Sequence, residues 1–464
     1  MNYDELKDEL LSVTDTGLKY AKSLDSMSEF EIFAYFQSNI SAGIDQGIVS
    51  ASDGAEAGTA VRASKGKRVG FAVASGVTIE RMKFAAKEAL SIVQTVEVED
   101  ERFQSFADPK SPGKEGDYSH DILALGTDDL IKSCESIIDE ALDVDDRIKV
   151  VSAEAGASWG GYAVGNSQGL LQATRSCNNS CSVNIFAIEG EERKGSTDFD
   201  IARDRLYNPE GVGKTAAEYA VSLLGAKKLD LTAKMPTIWT EFPAGLYILS
   251  SLAQSAVGRP VVDGVSPLCD RIGDTIAHKD LTIIDNGQNP KSPETQSIDA
   301  EGLPQRVNPI VEKGVLKNFL FDSYFGRAFG LDSTGNCTRG GGAFGGSTPY
   351  ESRPSASVKW LEVKAGKRSE DEVIASVDGK AILVREFPLG IFHSSVETGE
   401  FSCVANAAYL VEDGEVKGPV QPVSIAGNYY EGFKNIREIA SNQRAVPFGI
   451  SVPSLVIDGF SIVG

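Results

Sequence analysis

After about residue 233 the chain becomes a succession of strand-like stretches, at 236–241, 281–285, 306–312, 315–320, 357–363, 380–385, 401–411 and 454–463. Short stretches of this kind are not stable singly; they need partners within a sheet. Glu312-Lys313-Gly314 and Glu412-Asp413-Gly414-Glu415 carry the residues of tight hairpin turns, so some partners are sequence neighbours. Short helices are expected in between, at 243–257, 322–329, 369–376 and 430–440, with Asp322 as an N-cap.

The first half reads differently. Leu6, Leu10, Val13 and Leu18 recur at near-helical spacing within residues 3–24. Phe30, Ile32, Ala34 and Phe36 alternate along 29–36 as one face of a strand. Stretches 57–63 and 68–74 flank Ser64-Lys65-Gly66-Lys67, a hairpin signal, and Thr78 then caps a helix that runs to Thr95. The polar segment 97–121, with two prolines, reads as a loop or boundary. A helix from Thr127 to Leu142 follows, then several strands between 147 and 203. Asn208-Pro209-Glu210 reads as the start of another helix, which stops near Gly225. The expected class is α+β: an N-terminal mixed α/β region over 1–232, with a sub-boundary near 97–121, and a β-rich C-terminal domain over 233–464.

A formal net charge of −21 on 464 residues repels polyanions, so direct nucleic-acid binding is not expected. The basic cluster Lys65, Lys67 and Arg68 reads as a solvated hairpin turn. The N-terminus is charged from its fourth residue, and no apolar window is long enough to cross a membrane. Six cysteines in a chain of this length do not form a disulfide framework. The expected compartment is the cytoplasm.

The residues also limit the chemistry. His120, His278 and His393 are the three histidines, none is followed by glutamate, and no two are close in sequence. A zinc-peptidase helix needs two histidines about one turn apart and a glutamate to activate water, and that arrangement is absent. Cys177 and Cys181 have no second pair and read as strand residues. Residues 333–349 hold six glycines among 17 residues; composition alone reads as a flexible surface loop, and glycine also permits close backbone approach to a ligand, but no Gly-Lys-Ser/Thr follows to make a phosphate loop. A thiol nucleophile would be Cys337 or Cys403, with His393 as its base. Cys403 in an alternating strand is also explained by core packing.

Several segments together resemble the TldD/PmbA family. They are the hairpin at Lys313-Gly314 with Leu316, Asp322-Ser323-Tyr324, Gly330 and Ser333-Thr334-Gly335-Asn336, and then His393, Thr398-Gly399 and Phe401-Ser402. Ile425-Ala426-Gly427-Asn428, Pro453-Ser454-Leu455 and the hairpin and helix at 57–94 complete a match over nearly the whole chain. The resemblance implies a metallopeptidase system in which a TldD-type paralogue carries a His-Glu-x-x-x-His helix and a downstream cysteine, while the PmbA (TldE) type lacks them. The matching helix here, Pro243–Gly258, has neither His nor Glu, and Asn442–Gly464 has no cysteine. The implied role is that of a non-catalytic subunit without a metal of its own, paired with a zinc-bearing TldD-like partner or with itself, acting on unfolded peptides. Asn336, Arg339, Gly341, His393 and Ser394 are the expected peptide-contacting residues. The alternatives are an independent hydrolase, using a thiol or another metal site, and a peptide-binding scaffold. The family's label as a modulator of DNA gyrase gains no support from so acidic a chain.

Overall fold

The computed structural model describes residues 2–340 and 348–464, and it has the expected α+β class. Helix α1 (Tyr3–Leu24) precedes the hairpin strands β1 (Glu29–Asp45), β2 (Ile48–Lys65) and β3 (Arg68–Ser75). Helices α2 (Ile79–Thr95) and α3 (Thr127–Leu142) follow, then β4 (Ile148–Asn166), β5 (Leu171–Glu189), β6 (Glu192–Ala202) and α4 (Val212–Ser222). The six strands form one antiparallel sheet in the order β3-β2-β1-β4-β5-β6.

Alternation along β1 decides what each face meets. Phe30, Ile32 and Ala34 pack under α1 and α2 with Leu6, Leu10, Val61 and Met82. Phe33 and Tyr35, on the opposite face, pack with Ile298, Leu303, Cys337 and Tyr350 of the second half. Both faces of β1 are therefore covered at this level. Nearer the β1–β2 turn, α3 and α4 pack against Ile44, Val151 and Ile185.

The second half holds β7 (Thr232–Trp239), the helices α5 (Glu241–Leu249), α6 (Leu252–Ser255) and α7 (Gly258–Val262), then β8 (Ile283–Asn286), β9 (Val307–Glu312), β10 (Val315–Leu316) and α8 (Ser323–Phe329). Next come β11 (Cys337–Thr338), β12 (Ser355–Ala356), β13 (Leu361–Val363), α9 (Glu370–Ile374), β14 (Lys380–Val384), β15 (Glu400–Ala405), β16 (Ala408–Glu412), β17 (Glu415–Val420) and β18 (Val423–Asn428). The chain ends with α10 (Tyr429–Lys434), β19 (Ile436–Ile439), β20 (Arg444–Val446), β21 (Ile450–Val452) and β22 (Leu455–Val463). One sheet runs β15-β18-β22-β7-β14-β16-β17, with β19 also on β22; a second runs β10-β9-β8-β13-β21-β20. Both predicted hairpins form: Lys313 and Gly314, and Asp413 and Gly414, take positive φ at two-residue turns.

Several expectations need correction. The strand expected over 315–320 is only Val315–Leu316, and β1 and β2 run well past 29–36 and 57–63 because they pair with each other as far as Asp45 and Ile48. Asn208-Pro209-Glu210 does not start α4; the Asn208 N–H is tied to Asp200 (2.7 Å), and the helix begins after Gly211, which takes φ +84°. The stretch 401–411 is two strands, because β15 pairs with β18 while β16 pairs with β14 elsewhere in the same sheet. The helix expected over 430–440 stops at Lys434, and the chain then pairs with β22. The helix over 243–257 is broken: the Ser250 and Ser251 hydroxyls donate to the Leu246 and Tyr247 carbonyls at 2.8 and 2.6 Å, a contact that competes with helix continuation. Among the described residues, no helix is long and apolar enough to cross a membrane.

Candidate functional site

The broken helix pair α5–α6 forms one side of a groove of about 780 Å³. Leu249, Ala253 and Gln254 face it from the helices, and Val358, Phe392 and Phe448 add apolar surface. Phe448 holds φ +76°, a backbone region costly for a bulky side chain, followed by Gly449 at +83°. Strain of this kind persists only where the surroundings enforce it, and it is concentrated at functional sites. Glu294 supplies a carboxylate. Its side chain opens into the groove but is ringed by protein; this enclosure raises its pKa, while Lys359 and Arg203 pull the other way. Lys359, also at the groove, donates to the Cys337 carbonyl at 2.5 Å.

Strand β11 and the residue after it send successive side chains to opposite sides, and Gly340 then leaves the extended path at φ +67°. Thr338 and Gly340 line the groove. Cys337 and Arg339 point away from it into a buried ionic seam between the two halves. There Glu31, from the face of β1 that meets the second half, accepts from Arg339 (2.8 Å) and from two nitrogens of Arg62 (2.9 and 2.7 Å). Arg62 also reaches Glu301 (3.1 Å), whose other oxygen accepts the Ser323 N–H (2.8 Å). The Arg339 guanidinium lies over the Phe33 ring at 4.6 Å. Asp299 accepts the Cys337 N–H (3.0 Å), and Asp322 caps α8 through the Phe325 N–H (2.7 Å). Burial, and after it the charge of Glu301, pushes both Asp299 and Asp322 up to about 7.

The residues expected at a peptide site fall in different places. Asn336 is fully buried; its amide donates to Asp285 (2.6 Å) and the Ser357 carbonyl (3.0 Å), and it accepts from Asn308 and Thr334. Arg339 belongs to the seam. His393 is exposed on the single turn Ile391–His393, one residue beyond the groove-lining Phe392. The Ser394 hydroxyl donates to the Ile391 carbonyl (2.7 Å) and meets the Tyr429 hydroxyl (2.7 Å). Gly341 lies outside the described residues. Sequence reasoning missed Thr338, Gly340 and Phe448. Alternation along Cys337-Thr338-Arg339 singles out Thr338, while Gly340 reaches the groove through a bend at φ +67° that the sequence pattern does not show.

The thiol arrangement does not assemble. The Cys337 thiol is closed to solvent and pushed far up by burial, with Glu301, Asp299 and Asp322 adding to the effect, which is the reverse of an activated thiolate. His393, exposed, makes no hydrogen bond to it among the described residues. Cys403 is buried in β15, as core packing requires. All six cysteines are free thiols.

The description "PmbA/TldA metallopeptidase C-terminal domain" fits residues 232–464 by family model; the central-domain model fits 120–224 and the domain 1 model 30–93. The chain belongs to the TldD/PmbA family. It is 23% identical over 458 residues to the metalloprotease TldD homolog of Buchnera aphidicola, covering 93% of this chain and 92% of that one. It is 29% identical over 324 residues to metalloprotease PmbA of Escherichia coli O157:H7, covering 68% and 66%. The crystal structure of TldE from Thermococcus kodakarensis superposes with a TM-score of 0.87 at 27% identity, over 97% of this chain and all of the other.

A metallopeptidase family implies a metal centre, and the groove can be tested for one. Zinc wants imidazole, thiolate or carboxylate donors, usually three from the protein. The groove offers one carboxylate, Glu294, and the Lys359 ammonium, which repels a dication, while the helix side presents alkyl groups and one amide. Among the described residues, no three His, Cys, Asp or Glu side chains converge as a ligand set. The residues present do not fit a zinc ion.

Proposed function

We propose that this chain is the PmbA/TldE-type subunit of a TldD/TldE-like metallopeptidase, acting on unfolded peptides in the cytoplasm without a metal of its own. The observation that carries this reading is the groove beside α5–α6. The helical segment that matches the family's metal-binding helix presents Leu249, Ala253 and Gln254 there, and none of these is a metal donor under ordinary conditions. The likeness to TldE over nearly the full chain supports the same assignment. Zinc then resides on a TldD-like paralogue, and this chain completes the wall of a shared chamber or pairs with itself in the resting state. The groove suits an extended peptide: apolar and aromatic walls take side chains, and Thr338 and Gly340 offer backbone at a strand end for main-chain pairing. Neither nucleic acid nor a membrane enters this role.

The test mixes the purified chain with a metal-bearing paralogue from the same cell and measures bound zinc, complex formation and cleavage of an unfolded peptide. The expected result is no cleavage by the chain alone and cleavage by a stable complex whose zinc remains on the paralogue. Stoichiometric zinc on this chain alone, or cleavage by it alone, would overturn the assignment.

A further inference from the structure

We infer that a second groove, at the far end of β13 from the first, is a binding site for a small oligophosphate-bearing molecule. Strand β13 (Leu361–Val363) is preceded by Ser357–Lys359, at the groove described above, and followed by Lys364, which opens the second one. This second groove measures about 640 Å³ and is lined by Lys279, Lys313, Lys364, Lys367, Arg368 and Arg437. Such a concentration of cations is unexpected on a chain whose net charge is −21.

The local acids do not neutralise it. Glu438 is engaged by Arg368 (3.0 Å) and Glu312 by Lys317 (3.5 Å), while Arg437 pairs with Asp458 (3.1 Å); among the described residues, Asp280 is the one lining carboxylate left to face the lysines. Lys279, Lys313, Lys364 and Lys367 form no ion pair among the described residues, and all four are exposed. Four unpaired ammonium groups around one concavity repel each other, and an anion of matching charge relieves that repulsion.

The frame beneath them is fixed. Thr282 ties two of the lysine-bearing segments, its hydroxyl accepting the Lys313 N–H (3.1 Å) and its carbonyl the Lys364 N–H (3.0 Å). The Gly366 N–H donates to the Ala440 carbonyl (2.8 Å), and a Cβ at Gly366 would lie 1.8 Å from the Ile439 carbonyl oxygen. Close passage past Ile439 therefore sets Lys364 and Lys367 on their rim positions. Lys313 holds φ +49° in a turn pressed against residues 277 and 278 through Gly314.

Charge and size choose the ligand. Lysine binds phosphate as a point charge, and four of them suit a group carrying several negative charges close together. The volume is that of a small-molecule pocket. A long nucleic acid would extend past the groove along a chain whose net charge is −21. Buried Ile436 and Ile439, in the groove lining, leave room for an organic part. An inorganic oligophosphate and a nucleoside triphosphate share the recognised chemistry.

Calorimetric titration of the full chain with inorganic triphosphate, adenosine triphosphate and sulfate tests this. Saturable one-to-one binding of triphosphate is expected, at least tenfold tighter than sulfate. The Lys364→Ala/Lys367→Ala double variant should bind about tenfold more weakly or worse, while Lys132→Ala/Lys214→Ala on α3 and α4 should bind as the parent does. Tighter binding of the nucleotide than of triphosphate assigns the apolar floor to a base; equal binding assigns the site to inorganic oligophosphate. Absence of saturation, equal affinity for sulfate, or less than a twofold change in the double variant with its melting temperature preserved would overturn the inference.

Discussion

The two sides of residues 337–340 are built on opposite principles. Toward the groove, Thr338 and Gly340 join alkyl and aromatic groups around open space. Toward the seam, Cys337 and Arg339 enter a closed region where Glu31 accepts from Arg339 and Arg62, Glu301 accepts from Arg62, and Asp299 and Asp322 accept backbone N–H groups. A buried charge is tolerable only when paired, so Glu31, Glu301, Arg62 and Arg339 depend on one another, and their geometry admits few alternatives. An apolar groove wall has no such demand and accepts many side chains of suitable size. The contrast teaches where this molecule holds its halves together and where it is free to meet something else.

The largest effect expected from breaking the contrast is on the seam. Glu31→Gln removes the charge that serves both Arg339 and Arg62, leaving Arg339 without its carboxylate and Arg62 with Glu301 alone. Loss of one partner of a buried pair costs about 3–5 kcal/mol, so denaturant titration should show a markedly lower midpoint. A variant within about 1 kcal/mol of the parent would mean that solvent reaches the seam. On the groove side the same scale of intervention should leave stability alone. Thr338→Arg fills the groove mouth, so binding of an unfolded peptide by the complex with the metal-bearing paralogue should weaken about tenfold, equivalent to ~1.4 kcal/mol, while the melting temperature of this chain stays put. Loss of stability in this variant would make Thr338 part of the structural seam.

How much of this contrast was legible in the sequence follows from its physics. The helices α1, α2 and α3 and the apolar parts of the first-sheet strands, such as 29–36 and 57–63, were legible because apolar periodicity is a local property, and in α2 Thr78 caps the helix as read; the stretch of β1 and β2 over 37–56, rich in small and polar residues, carried no such signal. Both tight hairpins were legible from glycine placement. The helix break at Ser250-Ser251 was not, because two serines in an apolar run signal a break only once their hydroxyls are seen returning to carbonyls one turn back. The seam was invisible for a different reason: Glu31 and Arg339 are 308 residues apart in the chain, and nothing in EFEIFAYF says that Glu31 will be buried. Alternation does place Glu31 with Phe33 and Tyr35, so its face could be read but not what covers it. The resemblance singled out the helix at 243–258 but placed no groove beside it.

A smaller effect sharpens the electrostatics of the seam. Asp299 and Asp322 are pushed up to about 7 by burial, with Glu301 next, against an ordinary carboxylate value of about 3.9 in the unfolded chain. An acid with a raised folded-state pKa binds its proton more tightly in the folded chain. Its cost is therefore absent below the unfolded value, grows as pH rises from there, and is complete above about 7. Asp322→Asn keeps an oxygen to cap α8 and removes the charge. Relative to the parent, this variant should gain stability from pH 5 to pH 8, on the order of 1 kcal/mol, read as a difference in melting temperature at each pH. A parallel pair of pH curves would show that Asp322 carries no extra charge cost in the fold.

The smallest perturbation reports whether the seam opens at all. Cys337 sits at the point where seam and groove back onto each other, one residue from groove-lining Thr338. Its thiol is fully buried, and of the six cysteines Cys269 alone is partly exposed. Reaction of the native protein with an aromatic disulfide reagent should therefore give at most one fast equivalent, with the other five appearing at the rate of unfolding. Peptide bound in the groove should leave Cys337 unreactive, because occupying the apolar side does not touch the charges on the other. Faster labelling of Cys337 in the peptide-bound complex would mean that filling the groove pulls residues 337–340 off the seam; the two sides would then be a single element that moves, and the ionic contacts to Glu31 would be its latch.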